Sequence, residues 1–133
     1  MKDCFAIIGY ENAELHNMII KLTQKAGHAI GFNEVKITNN PAFKKSLIIY
    51  DISKAQAKDI VTRLNKSSFI WKDDEQFGLF DCSGNTIAKL QEEETDELLF
   101  EGTVTYPVLI KDKGKKEPTV KEFKFYKSSS LKA

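Results

Sequence analysis

Residues 47–64 read LIIYDISKAQAKDIVTRL, and two kinds of regular structure follow one another within them. Leu47, Ile48, Ile49 and Tyr50 form an unbroken apolar run of the length and composition of a central strand. Ser53 and Gln56 then make a Ser-x-x-Gln capping box. Behind the box Ala57, Ile60, Val61 and Leu64 recur at helical spacing, and the pattern closes near Asn65.

Upstream, residues 4–10 are mostly apolar and end in Gly9 and Tyr10, which reads as a buried first strand. Leu15, Met18, Ile19 and Leu22 follow at i, i+3, i+4 and i+7, with Asn12 as N-cap, Gly27 as the stop and His28 complementing the helix dipole at that end. A second strand falls within His28 to Ile37, ahead of a turn at Asn39, Asn40 and Pro41. All seven apolar helix positions (Leu15, Met18, Ile19, Leu22, Ile60, Val61 and Leu64) are expected to pack against a sheet.

Downstream the period changes to two. Phe69 to Trp71 reads as a strand, and Phe77 to Asp81 with Thr86 to Leu90 as a hairpin about Ser83, Gly84 and Asn85. Thr103 to Ile110 and Thr119 to Tyr126 form a second hairpin about the loop from Lys111 to Pro118, and Pro107 makes its strand an edge or bulged one. The order β-α-β-β-α-β is that of a ferredoxin-like α+β fold, two amphipathic helices on one sheet face. The C-terminal antiparallel β-hairpins would extend that sheet or form an added layer. A parallel, doubly wound first half is the alternative, because spacing does not separate the two. Organisation follows as one α+β domain over 1–133: a βαββαβ half at 1–72, a hairpin extension at 73–127 and a frayed tail at 128–133.

The chain is 41% hydrophobic and 29% charged, so it can bury a core without a disulfide or metal. Cys4 and Cys82 stand far apart with no Cys-x-x-Cys spacing, and the apolar run Phe5 to Ile8 is too short for a signal core or a span. A cytoplasmic protein is expected. Nineteen lysines against Arg63 alone, with many Ile and Asn, match the composition of a low-GC bacterial or phage gene. The scarcity of arginine argues against bidentate phosphate grip and base readout.

Net charge is only +1, yet charge is segregated. Residues 73–101 hold ten acids against Lys89 alone, and residues 111–133 hold eight lysines against Asp112, Glu117 and Glu122. Glu92, Glu93, Glu94, Asp96 and Glu97 are therefore the candidate surface for a partner protein. Lys111, Lys113, Lys115, Lys116, Lys121, Lys124 and Lys127, interleaved with Phe123, Phe125 and Tyr126, are the candidate surface for the alternative partner, nucleic acid. No titratable pair is placed for acid–base work, His16 reads as an exposed helical histidine, and no metal or cofactor motif is present. The expected function is a non-enzymatic binding or regulatory protein, an inhibitor or assembly subunit. No membrane partner is expected, and homo-oligomerisation is left open.

The first half resembles a response-regulator receiver domain: an apolar strand ends in Gly9, Tyr10 and Glu11, a helix runs to Lys25, and Leu47 to Ile52 stands where the phosphoacceptor strand would be. On that resemblance Asp51 would be phosphorylated. Only Glu11 stands where receivers place paired magnesium-binding acids, and β-hairpins replace the later helices and lysine. Asp51 is thus expected to stay unmodified. Incubation with acetyl phosphate and magnesium should leave the mass of the protein unchanged; a phosphoryl adduct lost in Asp51→Asn would reverse that expectation.

Overall fold

The computed structural model describes residues 4–25, 32–106 and 119–128. The strands are β1 (Phe5–Gly9), β2 (Phe32–Ile37), β3 (Ser46–Tyr50), β4 (Ser68–Lys72), β5 (Phe77–Asp81), β6 (Thr86–Gln91), β7 (Leu98–Tyr106) and β8 (Thr119–Lys127). The helices are α1 (Ala13–Lys25) and α2 (Lys54–Arg63), with a 3-10 turn at Pro41–Phe43. Helix starts follow local chemistry. Asn12 Oδ1 accepts from the Leu15 amide at 2.9 Å, and Ser53 and Gln56 close a reciprocal capping box on α2. After α2, Asn65 takes φ 59°, a left-handed residue just past the C-cap, and the Lys66 amide returns to the Val61 carbonyl at 2.8 Å.

The strands close into one barrel in the order β1-β3-β2-β7-β8-β6-β5-β4, with β4 returning to β1. Every pairing is antiparallel. This overturns the open α+β sandwich expected from the order β-α-β-β-α-β, and with it the parallel alternative and the receiver likeness. The reason lies at the edges. In an open sheet β2 and β4 would present unpaired backbone; here β7 pairs with β2 and β5 with β4, and the extension curls round until β8 meets β6. The hairpins are the other half of the wall, not an added layer.

Two cores result, one inside the barrel and one outside it. Ile7 sits opposite both Ile48 and Ile70 across β1, and these join Val35, Ile37, Phe100 and Phe125 in the interior. Their sequence neighbours Ala6, Ile8, Leu47, Ile49, Phe69 and Trp71 point outward and are covered by Ile19, Ala57, Ile60 and Val61 of the helices. Gly102 of β7 is required by proximity, since a Cβ there would collide with the Lys36 carbonyl oxygen of β2.

Some local expectations shift. The second strand occupies Phe32–Ile37, while Gly27, His28 and Pro107 lie outside the described residues. β7 begins at Leu98 rather than Thr103, because Phe100 turns inward and ends the acidic stretch in a strand. On α1, Ile19 is fully buried and Leu15 and Leu22 are half-buried, but Met18 is 38% exposed. The helix rests on the barrel along a narrower stripe than its apolar positions suggest. Among the described residues no helix is long and apolar enough to cross a membrane. Leu64→Ala should cost about 2–5 kcal/mol and Met18→Ala within about 0.5 kcal/mol in chemical denaturation. Equal losses at both sites would show that α1 sits on its Met18 side.

Candidate functional site

The acidic residues belong to two connections that meet at one end of the barrel. Between β4 and β5, Asp73 Oδ1 accepts from the amides of Glu75 at 2.8 Å and Gln76 at 2.7 Å, and the Asp73 amide donates to the Gln76 carbonyl at 2.8 Å. One carboxylate thus builds the turn and leaves Asp74 and Glu75 exposed. The other connection runs from β6 to β7 and must pass β8, because both strands flank β8. Neutral groups and backbone pin it. Gln91 Nε2 donates to the Glu93 carbonyl at 2.9 Å, the Thr95 hydroxyl donates to the Lys127 carbonyl at 3.0 Å, and the Lys127 amide donates to the Glu97 carbonyl at 2.9 Å.

The carboxylates of this crossing are left for other work. Glu92, Glu93, Glu94, Asp96 and Glu97 are all exposed. Among the described residues only Glu97 has a basic group within reach, Lys127 Nζ at 3.9 Å, and that pair is too exposed to contribute more than a few tenths of a kcal/mol. Glu92 and Glu93 line a groove of about 690 Å³ together with Asp73, Asp74 and Glu75. Lys54, Lys72 and Lys89 line it too, above Phe77 and Phe80. The Lys54 ammonium lies 4.0 Å from the centre of the Phe80 ring and 3.5 Å from Gln76 Oε1. The groove floor therefore already holds one alkylammonium group by its aromatic face.

The basic candidates divide. Lys111, Lys113, Lys115 and Lys116 lie outside the described residues. Lys121, Lys124 and Lys127 are exposed on β8, but Phe125 is buried inside the barrel and Phe123 half-buried beside it, their centroids 4.8 Å apart. The buried Phe125 ring offers no open face for a base, and Phe123 is only partly accessible in the groove it lines.

A second constellation was invisible in the sequence because its members are spread over the β1–α1 junction, α1 and β2. The Tyr10 hydroxyl donates to Glu34 Oε1 at 2.9 Å, His16 Nε2 stands 3.4 Å from Glu34 Oε2, and the Tyr10 and His16 rings meet edge to face at 4.9 Å. His16 is thus not the freely exposed histidine expected: 23% of its side chain is accessible. Lys36 and Lys45 border the adjoining cavity of about 340 Å³. Asp51 has φ 60° and its amide donates to the Cys4 carbonyl at 2.9 Å. The Cys4 thiol and the Trp71 indole both donate to the Ile52 carbonyl, at 2.7 and 2.9 Å. Burial, with the charge of Asp73 second, pushes the Cys4 thiol up, so it is no thiolate nucleophile at neutral pH. Cys82 is exposed and unbridged. Among the described residues no group of three or more His, Cys, Asp and Glu could hold a metal ion.

Comparison of the chain with protein-family models, with curated proteins and with solved structures gives no match.

Burial first, then the hydrogen bond to Glu34 and its charge, pushes the Tyr10 hydroxyl from 10.0 to about 12. The stability this lends is full below pH 10 and is lost as pH rises through about 12. Ultraviolet titration should show a tyrosine ionising near 12. Glu34→Gln removes the charge and keeps the burial, so it should bring that value only part of the way back. If every tyrosine titrates at its ordinary value, the Tyr10–Glu34 contact does not persist in solution.

Proposed function

We propose that the chain is a non-enzymatic binding protein, an inhibitor or assembly subunit, that takes a basic partner protein on the acidic end of its barrel. One observation carries this reading: carboxylates from two separate connections, 73–75 and 92–93, converge on one groove whose aromatic floor already accepts a lysine. Crowded carboxylates repel one another and destabilise the fold. Their concentration at one end is therefore a cost that a cationic partner would relieve. Five carboxylates face three ammonium groups there, which leaves room for added positive charge. Such a field steers a basic partner towards the groove and weakens as salt shortens its reach to about 8–10 Å.

The measurement is the binding of a blocked, flexible lysine–glycine peptide, followed by fluorescence anisotropy from about 20 mM to about 300 mM salt. Binding should fall steeply with salt. It should vanish in the triple variant Glu92→Lys, Glu93→Lys, Glu94→Lys, whose denaturation midpoint should stay close to that of the parent. A single-stranded oligonucleotide forms the second arm. Were the oligonucleotide bound and the peptide not, with binding lost on reversing Lys121, Lys124 and Lys127 to Glu, the nucleic-acid reading would replace this one.

A further inference from the structure

Strand β8 has two edges, and only one is paired along its length. Towards β7 it pairs from Thr119 to Tyr126. Towards β6 the register holds only Leu90 opposite Lys127 and Gln91 opposite Tyr126. There β6 ends and the chain leaves into the acidic crossing. Among the described residues no strand meets the edge from Thr119 to Phe125. That edge is roughly 20 Å long at about 3.4 Å per residue, and alternate N–H and C=O groups point out along it.

Beside it lies a groove of about 500 Å³, where Glu92 and Glu94 of the crossing face Glu122, Phe123, Lys124 and Phe125 of the strand. Three carboxylates there meet one ammonium group. Near the start of the edge, Val120 leaves an apolar side chain 55% exposed.

We propose that this edge of β8 binds an extended basic peptide segment of the partner, which joins the barrel wall as an added strand between β8 and the acidic crossing. The inference rests on the binding function proposed above and says how the partner is held. Unpaired strand backbone is satisfied most fully by another strand, which supplies affinity independent of sequence. The choice of partner falls to the side chains, and the carboxylate excess in the groove selects lysine or arginine. A second copy of the chain fits poorly. Antiparallel self-pairing over the whole open edge, Thr119 against Phe125, centres on Glu122 and sets that carboxylate opposite itself.

A blocked seven-residue peptide of alternating lysine and valine, carrying an uncharged fluorophore, is the probe. It should bind at low salt and slow amide hydrogen exchange from Val120 to Lys124. Two N-methylated forms, one methylated on every valine nitrogen and one on every lysine nitrogen, keep all the charges but block opposite edges of the peptide. One should bind about tenfold more weakly or worse, and the other like the parent. If both bind like the parent, or both lose equally, strand addition is overturned while binding of the lysine–glycine peptide would leave the acidic reading standing. If no lysine peptide binds, both fail. A dimer in sedimentation that protects the same amides would give the edge to a second copy and overturn the proposal.

Discussion

The barrel depends on three strands that are buried on both faces. β1, β3 and β4 turn Ile7, Ile48 and Ile70 into the interior and Ile8, Ile49 and Phe69 out beneath the helices. Their central positions are covered on both sides, which is why those residues are apolar without alternation, while polar Ser46, Ser68 and Lys72 stand at the strand ends. The remaining wall has one dry face and follows the opposite rule. Along β2, buried Val35 and Ile37 alternate with exposed Glu34 and Lys36, and along β8 only Phe125 is buried. β5 is the border strand, with Phe80 packed outward in the helix-covered cluster and Phe77 and Leu79 packed inward. The helices therefore sit over one sector of the barrel, and the acidic groove opens beside it, where Lys54 of α2 lies on Phe80 of β5.

That division explains what could be read in the sequence. Double burial made Leu47 to Tyr50 stand out, and the capping box placed the start of α2 to the residue. An unbroken apolar run reports only that both faces are covered. It does not tell whether the covering is two layers of helix, one layer on an open sheet, or a barrel interior on one side. Closure is decided by the partners of β2 and β4, and those lie far along the chain in β7 and β5. Local pattern carries no record of such pairings. The early start of β7 was hidden for a related reason: Glu101 stands between Phe100 and Gly102, so acid count and strand overlap at the same residues.

The candidate site was legible in composition and illegible in arrangement. Glu92 to Glu97 announce themselves as a charge run, and Asp73 to Glu75 as another. Their meeting in one groove follows from topology alone, since β5 and β6 are a hairpin whose outer ends carry both connections. Tyr10, His16 and Glu34 left no trace at all. Each is an ordinary residue in its own element, and only the pairing of β2 beside β3 brings Glu34 up to the strand-to-helix junction where Tyr10 and His16 sit.

The acidic crossing and the open edge of β8 have one origin. β6 and β7 both run antiparallel to β8 and lie on either side of it, so they are parallel to each other and no tight turn can join them. The connection has to pass β8, and it does so in the residues between Gln91 and Leu98. A crossing this short leaves β6 at the level of Tyr126 and enters β7 at the same level, so β6 cannot continue along the rest of β8. The topology thus removes a strand partner from Thr119 to Phe125 and places exposed carboxylates beside the gap. Charged residues along an open edge ordinarily keep other chains away. Lys121, Glu122 and Lys124 are suited to that purpose against strands at large, and on the strand addition proposed above the surplus of Glu92 and Glu94 would tilt the same edge towards cationic ones.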